Sequence, residues 1–279
     1  MEKTVTDSNK IVHGLWIGGS LSPIELLCIH SFAAHGHEFH LWLYDDITAA
    51  LPEGVIKQDA ATIIPREQVF AYKKFNQFGH GKGSYAGFSD IFRYKLLYEK
   101  GGWWADLDVV CLKYLAFNET YVFRTHHNFL TVGNIMKCPP HSPLMHDCYA
   151  EALKKVSSDN TDWHLPIAIL NKNIIKHGLQ SHVREISNPD RWIYVRRLLF
   201  RNLKPRKNWF VYHLMNEEWR KNRVSKLALP AGGTVGCLLL KYGLYNTSRN
   251  LKFYINLFRI LVPVYLIRGY LKGKLTQKH

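Results

Sequence analysis

Residues 83–112, GSYAGFSDIFRYKLLYEKGGWWADLDVVCL, predict a helix, a glycine turn and a strand in succession. Ser89 is the expected N-cap, its hydroxyl accepting from a free N–H of the first turn. Asp90 falls in that turn, where the helix dipole favours negative charge. Ile91, Tyr94 and Tyr98 recur at helical spacing, as do Phe92 and Leu96. Lys100 in the last turn and Gly101 after it mark the stop. Asp90 and Arg93, three apart, share a face at the helix start. Beyond the glycines, Trp103, Trp104, Val109 and Val110 bracket Asp106-Leu107-Asp108. Alternate side chains of an extended chain point the same way, so both carboxylates are expected together near a strand end. Like charges held close repel unless something positive lies between them. Their hard oxygens suit Mg²⁺ or Mn²⁺, ions that also grip phosphate oxygens. An Asp-x-Asp triplet alone occurs in many surface turns; the apolar walls, the Gly-Gly turn and the helix carrying Asp and Arg give this one weight.

The order Ser89, Asp90, Arg93, Leu97, Tyr98, Gly101, Gly102, Trp104, Asp106, Asp108 closely resembles the sugar-binding region of family 32 glycosyltransferases, a family that includes bacterial capsule and lipopolysaccharide sugar transferases. The clostridial glucosylating toxins look like more distant relatives. The resemblance implies a GT-A-like fold and a nucleotide-sugar donor. It further implies that Asp90 and Arg93 hold sugar hydroxyls, that Asp108 is the first metal ligand, and that Asp106 bridges the metal side and the ribose or sugar. The family retains anomeric configuration, commonly without an assigned protein nucleophile, and no nucleophile or base stands out here.

Residues 11–19, IVHGLWIGG, read as a first buried strand ending in a glycine turn that lets a ligand approach the backbone. The same run resembles the family's opening of the nucleotide site, which implies that Trp16 stacks on the base, with Ile17 and Gly18 beside it. On pattern alone Trp16 and His13 are core residues; the resemblance reverses that for Trp16 more firmly than for His13. A helix over 23–35 and an alternating strand over 38–44 follow, and strand, helix, strand suggests a parallel sheet. Residues 55–56 suggest a short strand and 65–72 a short helix. Residues 73–82, polar and glycine-containing, are either a mobile loop beside the donor site or a connector. Further on come strand and turn over 121–133, a helix over 144–156, and another from about 162 to 177. Residues 208–219, NWFVYHLMNEEW, bring His213 to the end of an apolar strand. His213 resembles the late histidine that completes the metal shell in many GT-A transferases, and an imidazole is an acceptable Mn²⁺ ligand.

The chain has 279 residues, 47% hydrophobic and 13% aromatic, enough for one large α/β domain with a sizeable core. Five scattered cysteines without C-x-x-C spacing argue against a disulfide scaffold or a zinc site. The polar start MEKTVTDSNK shows no secretory signal, so a cytoplasmic, bacterial enzyme is expected. The net charge of +15 resides in the last third, where residues 191–279 carry nineteen Lys or Arg against Glu217 and Glu218. A glycosyltransferase domain over 1–245 and a basic amphipathic segment over 246–279 are therefore expected. Lys252, Arg259, Arg268 and Pro263 interrupt the apolar tail, which argues against a spanning helix and for a membrane-interface or packing helix.

Taken together the sequence predicts an α/β, GT-A-like domain with a mixed, mostly parallel sheet. The expected activity is metal-dependent, retaining transfer of a hexose or N-acetylhexosamine from a nucleotide sugar, with UDP favoured over GDP. The expected acceptor is a capsule, O-antigen or lipopolysaccharide glycan at the inner face of the cell membrane, with anionic lipid meeting the basic tail. Toxin-like transfer to a protein hydroxyl is the nearer alternative. A non-catalytic basic module for nucleic acid or membrane is the farther one; no nucleic-acid-binding motif appears among the basic residues.

Overall fold

The structure, a computed structural model, describes residues 8–245 and 251–261. The chain runs β1 (Ile11–Trp16), α1 (Pro23–Ala34), β2 (Glu38–Leu43), β3 (Val55–Asp59), α2 (Ala86–Lys100), β4 (Gly102–Ala105), β5 (Val109–Cys111), β6 (Val122–Thr125), β7 (Thr131–Cys138), α3 (Pro143–Lys155), α4 (Leu165–Lys176), β8 (Val183–Arg184), α5 (Trp192–Phe200), β9 (Val211–His213), α6 (Asn216–Lys221), α7 (Gly233–Lys241) and α8 (Leu251–Leu261). Seven strands form one sheet in the order β3-β2-β1-β4-β7-β6-β8, and β5 pairs with β9 in a second, two-stranded sheet. In the large sheet only β7 runs against its neighbours. This is the mixed, mostly parallel α/β architecture expected of a GT-A-like chain.

Period-two alternation sends successive strand residues to opposite faces. Trp104 and Met136 meet Phe88, Phe92 and Leu96 of α2 with Leu144 and Cys148 of α3 on one face. Trp103 and Ile135 meet Ile29 and Phe32 of α1 together with Val109 and Val211 of the small sheet on the other. A third apolar cluster joins α5, α7 and Trp219 of α6 to Tyr212 and Ile260. With both faces covered, β7 is buried along its whole length.

Local chemistry explains the boundaries. Ser22 and Glu25 close a reciprocal capping box at the start of α1. Gly101 and Gly102 take φ of +66° and +86°, and a Cβ on Gly101 would come within 2.5 Å of the Pro140 ring and backbone, so the Gly-Gly turn is required by both conformation and space. The start of α2 differs from the expectation. The helix begins at Ala86, whose N–H donates to Ser84 Oγ at 3.3 Å. The Ser89 N–H is already bonded to Tyr85 O at 2.8 Å. Ser89 and Asp90 therefore lie inside the helix, not at its cap. The helix expected over 65–72 is only a single 3₁₀ turn, Arg66–Gln68, because Pro65 starts it and Val69 returns to extended backbone. All five cysteines are free, four of them buried and Cys237 exposed.

Candidate active site

A cavity of about 620 Å³ opens at the C-terminal edge of the parallel strands, the place where open α/β sheets bind ligands. Trp16 and Ile17 reach it from the end of β1, Asp106 and Asp108 from the turn after β4, and Ser89, Asp90 and Arg93 from α2. Asp190 and His213 close one side. Of the residues expected from sequence, only Gly18 is off the wall: it has φ +126° and lies next to the Trp16 indole. His13 is a core residue, accepting from Trp42 Nε1 at 3.2 Å, and burial pushes its imidazole down to about 3.

The Asp-Leu-Asp triplet directly follows the end of β4, as expected, but it is a turn and not the extended chain from which the alternation was argued. Val109 N–H donates to Asp106 O at 3.0 Å, and the chain leaves the large sheet for the small one within this turn. The two carboxylates share the cavity but belong to different frameworks. Asp106 Oδ1 accepts from Arg93 Nη2 at 3.0 Å and from Trp104 Nε1 at 2.7 Å. Arg93 also faces Asp90 at 3.2 Å and lies over the Trp104 ring, 5.1 Å from its centroid. Asp108 Oδ2 accepts the Asn216 N–H at 2.6 Å and stands 3.4 Å from His213 Nε2.

Burial raises Asp106, against the pull of Arg93 and with the help of Asp108. Burial opposes ionisation of Asp108 as well, but His213 and the Asn216 amide outweigh it and hold that carboxyl low. Asp90 is pushed up to about 6 by burial despite Arg93. His213 is desolvated, yet Asp190 and Asp108 together raise it to about 10.

Asp190 was not anticipated. It takes His213 Nδ1 at 2.6 Å and a bidentate grip from Arg124, with Nη1 at 2.8 Å. Arg124 is itself only 1% exposed. A carboxylate on the far nitrogen fixes the imidazole so that Nε2 faces Asp108, the arrangement that carboxylate–histidine pairs impose at metal sites. The nearest sequence signal is that an arginine inside an apolar strand needs a buried partner; nothing in the spacing points to the Asn188-Pro189-Asp190 turn.

The donor set fits a divalent cation on one specific ground. Asp108 Oδ1 is buried and has no hydrogen-bond partner, an expense in a protein interior that a cation would remove. Among the described residues no group of three or more His, Cys, Asp or Glu could hold a metal by itself. Asp108 and His213 are thus a partial shell, of the kind that hard cations complete with phosphate and water oxygens.

Residues 49–127 match the family described as a glycosyltransferase sugar-binding region containing a DXD motif. The chain carries a glycosyltransferase sugar-binding region. That region supplies Asp90, Arg93, Asp106 and Asp108, while Trp16, Asp190 and His213 lie outside it. The enzyme class is accordingly that of a DXD glycosyltransferase. Among solved structures, the chain is similar to the PaToxG glycosyltransferase at 14% identity, with a TM-score of 0.42 over 60% of this chain and 68% of that one. It is also similar to a structure described as a transferase mutant at 10% identity, with a TM-score of 0.39 over 61% of this chain and 86% of the other. No curated protein matches the chain.

Proposed function

We propose that the protein is a retaining glycosyltransferase of the family 32 kind that moves a hexose or N-acetylhexosamine from a UDP-sugar to a glycan. The observation that carries this is the unpartnered Asp108 oxygen beside the oriented His213 imidazole, inside the cavity that Trp16 and the Arg93–Asp106 pair also line. Trp16 offers a face for the base, and its buried Nε1 has no partner in the protein. Arg93 holds Asp106 and Asp90 in place so that their free edges can take sugar hydroxyls. Mn²⁺ or Mg²⁺ held by Asp108 and His213 would neutralise charge on the departing diphosphate. Fixing donor and acceptor in line supplies much of the remaining rate.

The acceptor in this reading is a capsule, O-antigen or lipopolysaccharide glycan on a membrane carrier, reached from the cytoplasmic face. Its support is α8. Phe253, Asn256 and Ile260 face the body, where Asn256 bonds Ser225 and Ala228. Tyr254, Ile255, Phe258 and Leu261 are exposed on the outer side. Arg259 bonds Arg223 O, bringing two arginines to this edge. An apolar stripe flanked by cations suits an anionic bilayer surface. Among the described residues no helix is long and apolar enough to cross a membrane. Pro263 and the rest of the basic tail lie outside the described residues.

The test is a thermal-shift and hydrolysis screen of UDP- and GDP-sugars with and without Mn²⁺. Stabilisation by one nucleotide that needs the metal and disappears in Asp108→Asn is the expected result. No nucleotide response under any metal would refute the reading.

A further inference from the structure

Asp190 and Glu217 both line the cavity, and a chain of aromatic rings runs between them. His126 Nε2 lies 3.3 Å from Asp190. His126 stacks on Phe129 with centroids 5.2 Å apart, and Phe129 meets His164 edge-on at 4.8 Å. His164 meets Phe78 at 5.1 Å, Phe78 stacks on His80 at 6.0 Å, and His80 Nδ1 is 3.8 Å from Glu217. Trp163 braces the chain from behind, edge-on to His80 at 5.5 Å. All six rings line the cavity.

Three separate loops build this collar; two of them are hydrogen-bonded to each other, and the third meets them through the Phe129–His164 contact. Gln77 accepts the Trp163 N–H at 2.9 Å and donates to Asp162 at 2.9 Å. The Gln77 N–H donates to Thr161 O at 3.2 Å, and Lys73 N–H to Ser158 O at 2.8 Å. Residues 73–82 are therefore clipped to the loop before α4 and form part of the cavity wall. The rings do not belong to any of the three core clusters, and Phe78 is 51% exposed. Half-buried rings gathered on a cavity wall around the exposed Phe78, outside the core clusters, are an arrangement for a ligand, because a core would have buried them.

We infer that this collar is the acceptor subsite and that it takes a neutral pyranose ring. A pyranose presents a face of C–H groups to aromatic rings and a rim of hydroxyls that both donate and accept. The collar offers matching parts: Phe78 and Phe129 as apolar faces, and the imidazoles of His80 and His164 as groups that can donate or accept, while His126 is held by Asn128 and Asp190. The carboxylates at the collar's two ends, Asp190 and Glu217, are each paired with an arginine, Arg124 and Arg220, so neither end offers an unbalanced charge to an acidic or a basic acceptor. The collar also borders the cavity that holds Asp106 and Asp108, so a ring seated there places a hydroxyl next to the donor site. The assignment deepens the transferase reading and rests on it for the word acceptor, but binding of a saccharide to the collar is testable without any donor.

The experiment is saturation-transfer NMR on the full chain with the methyl glycosides of glucose, galactose, mannose and N-acetylglucosamine, with no nucleotide or metal added. Ring C–H protons of at least one glycoside are expected to receive saturation. Phe129→Leu, which keeps bulk and removes the π face, should weaken binding at least tenfold, whereas Phe129→Tyr should retain it. Saturation by no glycoside, or equal binding by Phe129→Leu, would overturn the inference, as would preferential binding of an unglycosylated Ser- or Tyr-containing peptide. If the donor reading alone is wrong, glycoside binding persists while the nucleotide screen stays silent.

Discussion

Replacing Asp190 by Asn should damage the protein in two separable ways. Arg124 is buried, and its charge is balanced by Asp190. Breaking a buried ion pair from one side costs about 3–5 kcal/mol, because the remaining charge stays desolvated. Arg124 keeps its bonds to Ser187 Oγ and to Asn188 O at 2.9 Å, and an Asn can still accept one hydrogen bond, so the lower end, about 3 kcal/mol, is the expected loss. At roughly 2–4 °C per kcal/mol for a chain of this size, the melting temperature should fall by roughly 6–12 °C. Adding Arg124→Met removes the stranded charge, and the double variant should recover at least about 1 kcal/mol relative to Asp190→Asn alone. The second effect is on the site. With a neutral partner on Nδ1, His213 is held less firmly toward Asp108, and metal-dependent nucleotide affinity should drop by roughly 10–100-fold. Thermal melts of the four proteins of the cycle, paired with nucleotide titrations in Mn²⁺, separate the two. A single variant that melts within about 1 °C of the parent, or a double variant no better than the single, would refute the account of Arg124 and Asp190.

Three further changes follow from the same geometry. A Cβ on Gly133 would come within 2.3 Å of Arg93 Nη1, and Arg93 is buried between Asp90 and Asp106; Gly133→Ala should cost about 3 kcal/mol in a urea melt as Arg93 is pushed off these partners and lower donor kcat/KM by roughly 10–100-fold, and unchanged kinetics would show that Arg93 does not position Asp106. Glu151 is bonded to Lys155 and Lys172, and Lys155 above all holds its carboxyl down at about 2. A depressed carboxyl stabilises the fold above its unfolded value and loses that contribution as pH falls through its folded one, so Glu151→Gln should cost about 1 kcal/mol at pH 7 and nearly nothing at pH 2, and a pH-independent difference would contradict the assignment. Tyr254→Ser with Phe258→Glu on the outer face of α8 should abolish co-sedimentation with vesicles containing anionic lipid without shifting the melting temperature by more than about 2 °C; wild-type levels of binding would place any lipid contact elsewhere.

The parts of the site that were legible in the sequence are those whose chemistry is local. Asp90, Arg93, Asp106 and Asp108 sit within nineteen consecutive positions, and a glycine pair with forced positive φ fixes how helix and strand meet. Trp16 and His213 were visible through the resemblance of their stretches to the family's opening run and late histidine, and each closes a strand. Four things were not visible. The start of α2 was misplaced because its cap position is Tyr85, which makes no side-chain cap bond and so leaves no capping signal in the sequence, whereas Ser89 inside the helix mimics one. The triplet was taken as extended because nothing local says that Val109–Cys111 will leave the large sheet to pair with Val211–His213, about a hundred residues on. Asp190 and the aromatic collar were missed for the same reason: each is a meeting of segments far apart in the chain, and neither leaves a periodic trace.

The turn geometry of the triplet also separates the duties of its two carboxylates. Were Asp106 and Asp108 on one strand face, they would share an environment and compete for the same cation. Instead Asp106 is bound to Arg93 and Trp104 of the large-sheet framework, and Asp108 to Asn216 and His213 of the small-sheet framework. Burial then lifts the first while the imidazole depresses the second. Neighbouring titratable groups whose surroundings push them in opposite directions are the usual mark of divided roles. Asp108, held ionised with one free oxygen, is suited to a cation. Asp106, already committed to two donors on one oxygen, is suited to hydrogen bonding a hydroxyl with the other. The division predicts that Asp106→Asn, which keeps an acceptor for Arg93 and Trp104, should retain metal-dependent nucleotide binding and lose discrimination among UDP-sugars, whereas Asp108→Asn should lose the metal response itself. Identical loss of metal response in both variants, read by nucleotide titration with and without Mn²⁺, would show that the two carboxylates act as one site after all.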